Sequence, residues 1–174
     1  MRVRSRYISA LLAVLFPVII SACGYYSVSG SLPGHIKTAA VPLFENETTE
    51  PQLVEDVTDA VIDAIIANGA MKIESEFRAD AVVNGIIIDV IEEPDQFSKD
   101  EQAQKFIIRV YAHVAFFDRI KNRPLWEEER LEGWARYDAT GSSADGAPVS
   151  RDEAKIVALD MLAKEIIDRT VAGW

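Results

Sequence analysis

A single cysteine stands in 174 residues, at position 23 within "SACGYYSVSG". A lone thiol makes no internal disulfide, and one thiolate is too few ligands for a structural metal site. Its chemistry must therefore come from its neighbours. A second concentration of reactive groups is basic: Arg119, Lys121 and Arg123 fall within five positions in "DRIKNRPLW", close to Trp126. Cations on a tight loop beside an aromatic suit phosphate groups, through charge-assisted hydrogen bonds. An ordinary soluble hairpin turn is built from the same residues. No other set of side chains has catalytic spacing. His35 and His113 are far apart, and no G-x-S-x-G, H-E-x-x-H or phosphate-cradling glycine loop occurs. Glu92, Glu93, Asp95, Asp100 and Glu101 are numerous enough to attract a divalent cation but lack the order of a calcium loop, so they read as a solvated acidic loop. Glu127-Glu128-Glu129 predicts either one inward-facing carboxylate or a bulge. The expectation is a protein that is not an enzyme and carries no cofactor or metal.

The surroundings of Cys23 give its thiol a use. Arg2, Arg4 and Arg6 form a basic start, Ile8 to Ile20 is apolar apart from Ser9, and Ser21 and Ala22 are small. This is the order of a secretory signal peptide, and the apolar run is short of the roughly 20 residues that span a bilayer. Ile20-Ser21-Ala22-Cys23 resembles a bacterial lipobox, which implies cleavage before Cys23 and acylation (diacylglycerol and palmitate-type chains) of the new N-terminal residue. Residues 1–22 are thus expected to be a lipoprotein signal peptide and residues 23–174 the mature domain. Two or more acyl chains anchor a protein stably where one does so only marginally. Gly24, in the place where Asp retains many such proteins in the inner membrane, favours the outer membrane.

Three of the 18 basic residues and none of the 28 acidic ones precede Cys23, leaving 15 against 28 and a net charge of −13 in the 152 residues that follow. That charge argues against nucleic acid and against a generally anionic surface as partner. An anionic ligand would have to be met by a local basic cluster.

The elements that would position these groups are legible in part. Ile36 to Phe44 reads as a strand, bulged or at an edge because Pro42 cannot donate to a ladder. Glu50 to Asn68 reads as a helix: Thr49 and Gln52 suggest a capping box, Leu53, Val57, Val61, Ala64 and Ile65 recur at helical spacing, and Gly69 supplies the left-handed stop. Met71–Glu74 and Ala81–Ile91 read as strands, and polar Glu92–Gln104 as a loop. In Lys105–Asp118, Phe106, Ile108, Val110, Ala112, Val114 and Phe116 alternate with Arg109, Tyr111 and His113. A hairpin at Arg119–Pro124 leads to a strand over Leu125–Tyr137. "TGSSADGAP", residues 140–148, reads as a loop. Ser150 and Glu153 cap a last helix, Arg151–Val171, with Ala154, Ala158, Leu162 and Ile166 on one stripe. Consecutive antiparallel strands with two helices predict an α+β sandwich, a mostly antiparallel sheet with both helices on one face. The other face would be half-polar and either wet or covered by a partner.

Residues 23–51, "CGYYSVSGSLPGHIKTAAVPLFENETTEP", resemble the start of the LptE family of outer-membrane lipopolysaccharide-assembly lipoproteins. The matching pieces are Cys23-Gly24-Tyr25, Ser31-Leu32-Pro33, the "IKTAAVPLFEN" strand and the Thr-Thr-Glu-Pro entry to the first helix. The resemblance implies a small sandwich of this kind that sits as a plug in the large β-barrel LptD, binds lipopolysaccharide and helps deliver it to the outer leaflet. It would be lipid-anchored, on the periplasmic side or in the barrel lumen. Arg119, Lys121 and Arg123 are the candidates for lipopolysaccharide contact on chemical grounds. The alternative is an envelope lipoprotein that assembles or pilots another secretion pore, or activates a cell-wall synthase.

Overall fold

A computed structural model of the chain describes residues 32–97, 103–141 and 148–172. The expected signal peptide, Cys23 and most of the 140–148 loop lie outside these residues. The element order is β1 (Thr38–Ala40), β2 (Glu45–Asn46), α1 (Leu53–Asn68), β3 (Lys72–Ile73), β4 (Ala81–Phe97), β5 (Ala103–Asp118), β6 (Arg123–Asp138) and α2 (Arg151–Ala172). The sheet order is β3-β1-β4-β5-β6, with β2 also on β4. The three long strands β4, β5 and β6 pair antiparallel, and the three short ones pair parallel. The α+β architecture with two helices on a mostly antiparallel sheet is therefore as expected.

Alternation along β5 decides which face is core. Ile108, Val110, Ala112, Val114 and Phe116 are almost fully buried, while Arg109, Tyr111 and His113 on the opposite face are half-buried. Helix α2 lies on the buried face with its predicted stripe, Ala154, Ala158, Leu162 and Ile166, wholly enclosed. It comes so close to β6 that a β-carbon on Gly133 would sit 2.7 Å from Leu162 Cβ and 2.9 Å from the Leu162 amide nitrogen. Only a residue without a side chain fits there. Helix α1 adds Leu53, Val57, Val61 and Ile65 to the same core.

Pro42 divides the first predicted strand. Ala40 pairs with Val82 and Glu45 with Ile86, so five steps on one side oppose four on the other. This is the bulge that the missing proline donor calls for. β1 itself is interior, between β3 and β4, and not an edge. The bulge turns Phe44 into the core, where its ring fills the space that a side chain on Gly85 would take. Its amide donates to Thr58 Oγ1 at 3.1 Å.

Two expectations are corrected. The capping box of Thr49 and Gln52 does not form: helix α1 starts at Leu53, with Gln52 at the cap position and no side-chain cap bond. The entry is instead built one turn earlier, where Asn46 Oδ1 accepts from the Thr48 amide and hydroxyl and Asn46 Nδ2 donates to the Glu50 carbonyl. Asn and Thr side chains that bond their local backbone in this way compete with a cap further on. Second, Glu92–Phe97 is not loop but the outer end of β4, paired against β5 as far as Ala103 with register shifts around Gln96. Its charged residues face arginines across the strands, and those partners stabilise an extended chain that polarity alone would place in a loop.

Candidate interaction surface

The outer face of the three long strands is covered by nothing among the described residues, and its side chains are paired with one another. On β5, the Arg109 guanidinium bonds the Glu132 carboxylate on β6 and lies 3.8 Å from Glu93 on β4. His113 Nε2 is 2.9 Å from Glu127. Arg136 meets Asp95 at 3.1 Å and stands over the Trp134 ring, and Arg130 lies 3.8 Å above the centre of the Tyr111 ring. The predicted acidic loop is thereby accounted for in part: Glu93 and Asp95 face arginines of the sheet, and Asp100 and Glu101 lie outside the described residues. The Glu127–Glu129 run carries the predicted bulge. Ala112 pairs with Leu131 and Val114 with Glu128, so three steps oppose two and none of the three carboxylates is buried. A depression of about 220 Å³ on this face is lined by Pro42, Leu43, Ile86 and His113, among others. Arg, Trp and Tyr are the residue types enriched at binding hot spots, and here they are half-exposed on a rigid sheet.

The predicted basic cluster occupies one end of the sheet. Its turn is held from within. Asp118 is fully buried; its Oδ1 accepts from the Lys121 amide at 2.9 Å and its Oδ2 lies 2.7 Å from His35 Nε2. Burial alone would raise the Asp118 carboxyl, but the Lys121 amide and the His35 ring outweigh it and hold it below the usual carboxylate range. Asn122 takes a left-handed φ of 50°, which Asn tolerates better than most residues.

The three cations do not act alike. The Arg119 guanidinium donates to the carbonyls of Glu76 and Ala79, and its amide donates to the Asp80 carbonyl at 3.0 Å, so it binds the β3–β4 loop to the β5–β6 turn. Lys121 and Arg123 are exposed and make no ion pair among the described residues. Lys105 stands at the other end of the sheet. Two residues at the basic end escaped sequence reasoning: Phe77 in the β3–β4 loop is 90% exposed and Ile120 in the turn 58%. The only sequence signal was a lone aromatic in the polar stretch "ESEFRAD".

At the far end, Arg151 at the start of α2 bonds Glu50 and lies 2.9 Å from Glu92, whose other oxygen accepts from the Tyr137 hydroxyl. Burial, and then that hydrogen bond, push the Tyr137 hydroxyl up to about 12.

No protein-family model matches this chain, and no curated protein sequence matches it. Among solved structures it is similar to the hypothetical protein CT253 from Chlamydia trachomatis, with a TM-score of 0.53 at 13% identity over 77% of this chain and 95% of that one. It is also similar to the PelC dodecamer from Paraburkholderia phytofirmans, at 0.47 and 16% over 83% and 96%. A minor lipoprotein from Acinetobacter baumannii gives 0.47 and 12% over 77% and 91%. At 13% identity, the likeness to CT253 is a likeness of fold.

Proposed function

We propose that this chain is a non-catalytic lipoprotein, anchored to the outer membrane through Cys23, that sits as a plug in a β-barrel of the LptD type and serves lipopolysaccharide transport to the outer leaflet. The observation that carries this reading is the outer sheet face. A barrel lumen is polar, and a plug must offer it a rigid surface whose charges are already compensated, because an unpaired charge in a closed interface is costly. Arg109 with Glu132 and Glu93, Arg136 with Asp95 and His113 with Glu127 are such compensated pairs, interleaved with Tyr111 and Trp134. The resemblance of residues 23–51 to the LptE family supplies the identity of the barrel and the cargo. Of the three candidate lipopolysaccharide contacts, Arg119 is committed to the loop carbonyls, so Lys121 and Arg123 are the side chains available for lipid phosphates.

The test is affinity purification of the lipidated protein from detergent-solubilised envelopes, with mass spectrometry of what accompanies it. A stoichiometric outer-membrane barrel of the LptD type is expected. A secretin or a wall synthase in its place would overturn the plug reading and leave the resemblance as one of fold.

A further inference from the structure

The basic end of the sheet combines three features that no other surface of the described residues shares. Phe77, at 90% exposure, is held out in solvent by a structured loop: the Arg78 and Ala79 amides both donate to the Ser75 carbonyl at 3.0 Å, and Arg119 clamps the loop to the next turn. Ile120 on that turn is 58% exposed, so two large bare apolar side chains share this end; Leu43 before β2, Ile66 on α1 and Ile156 on α2 are exposed as well. Beside them are Lys121 and Arg123, which have no ion pair among the described residues, and Arg78, which is bonded to Glu74 at 2.6 Å, in a chain that is otherwise strongly acidic. An aromatic and an aliphatic tip ringed by Arg and Lys is the composition that settles at the boundary between acyl chains and anionic headgroups.

The third feature is reach. The chain enters the fold at this end, because His35 is bonded to Asp118 at the foot of β5. Eight residues link Cys23 to Leu32, and the nine steps span at most about 30 Å fully extended. The opposite end of the long strands is about 50 Å away at ~3.3 Å per residue. If Cys23 is acylated, the end of the molecule nearest the bilayer is the one that carries Phe77 and Ile120.

We infer that this end is a second, non-covalent membrane contact: Phe77 and Ile120 enter the interface of the leaflet that holds the acyl chains, and Lys121 and Arg123 meet its anionic headgroups. The inference rests on the lipoprotein reading, through Cys23. In a plug, this end would stay at the mouth of the barrel, since the acyl chains lie in the leaflet outside it. The contact need be only weak in itself, because the tether keeps the effective concentration of lipid high. Each cation at the surface shifts the docked-to-undocked ratio by about fivefold.

Acylation consumes the only thiol of the chain, so a single introduced cysteine can be labelled. The experiment reconstitutes the lipidated full chain in vesicles containing phosphatidylglycerol and places a nitroxide through Ile120→Cys or, at the far end, Asp152→Cys. Collision with oxygen over a nickel chelate is compared at the two positions. The label at 120 is expected to favour oxygen and the label at 152 to favour the chelate, and adding Phe77→Asp is expected to return the label at 120 to water. A chain acylated at Cys23 whose two labels are equally wet would overturn the membrane contact and leave the lipoprotein reading intact. A mature chain whose Cys23 carries no acyl mass would overturn both.

Discussion

Gly133 and Gly85 show how single positions shape this fold. Each leaves room for a neighbour that the core needs: helix α2 over Gly133, and the Phe44 ring over Gly85. The neighbours of Gly133 are largely backbone, which cannot move aside without displacing the helix. Gly133→Ala is expected to cost about 2–3 kcal/mol by overpacking, read as a lowered midpoint in chemical denaturation. Gly85→Ala should cost less, because a ring can tilt. Ionisable groups give two pH signatures. The Asp118 carboxylate is held below its ordinary value, so its contribution to stability is complete above the ordinary Asp range, near 3.8, and fades as pH falls through the depressed value. Asp118→Asn should destabilise the protein at neutral pH and flatten the acid limb of its stability curve. Tyr137 behaves in the opposite sense. Its pKa is raised from 10.0 to about 12, so the proton it holds stabilises the fold fully below pH 10, and that contribution is lost as pH rises toward 12. A difference ultraviolet titration of wild type against Tyr137→Phe should show one tyrosine ionising about two units late; an ordinary midpoint would refute the hydrogen bond to Glu92.

At the level of elements, what could be read in the sequence followed periodicity, and what was missed depended on partners distant in the chain. The alternation of β5 and the stripes of α1 and α2 needed no partner to be recognised, because burying one face is enough to impose a period. β4 was cut short at Ile91. Its bulge between Ile87 and Asp89 breaks the alternation, and Glu92, Glu93 and Asp95 acquire their reason to be extended only from Arg151, Arg109 and Arg136, which lie up to 59 residues away. The start of α1 was misplaced for a local reason: Asn46 and Thr48 offer a better set of hydrogen bonds than Thr49 and Gln52. At α2 the serine half of the predicted cap forms, with the Glu153 amide donating to Ser150 Oγ at 3.2 Å, while the Glu153 carboxylate accepts from the Val149 amide, one residue before the cap. The basic cluster was legible as a run of charges. That Arg119 is spent on carbonyls 40 and 43 residues away was not. Arg151 joins the start of α2 to the loop before α1 and to β4, and hydrogen bonds to Glu50 and then Glu92 raise its pKa further. Partly exposed networks of this kind are worth about 1–2 kcal/mol. Arg151→Met should therefore lower stability by that amount and raise hydrogen exchange in the first turn of α2, leaving the β5–β6 core protected.

For the molecule as a whole, charge is divided by place. On the long sheet face Arg109, His113 and Arg136 are matched with carboxylates, while Lys121 and Arg123 at the Phe77 end have no carboxylate partner among the described residues. Lys121→Glu with Arg123→Glu, which spares the loop clamp of Arg119, is expected to weaken lipopolysaccharide binding by about thirtyfold or more, since each of the two phosphate-directed cations contributes about 1 kcal/mol. Binding measured at rising salt should lose most of this difference. Unchanged affinity would remove the two residues from the lipid site and leave the plug reading standing.

The interior position of β1 has a mechanical consequence. With Cys23 tethered as proposed, the pull would come on the chain before Thr38, and β1 is parallel to both of its neighbours, β3 and β4. The Asp80 carboxylate grips the Lys37 and Thr38 amides at 2.8 and 3.0 Å, while Thr38 Oγ1 accepts from the Asp80 amide. Force directed along the strand toward the bilayer therefore loads these bonds together, in shear, instead of peeling them one at a time from an exposed edge. If Cys23 carries the proposed anchor, a load on the domain would thus reach the fold at one of its better-braced points.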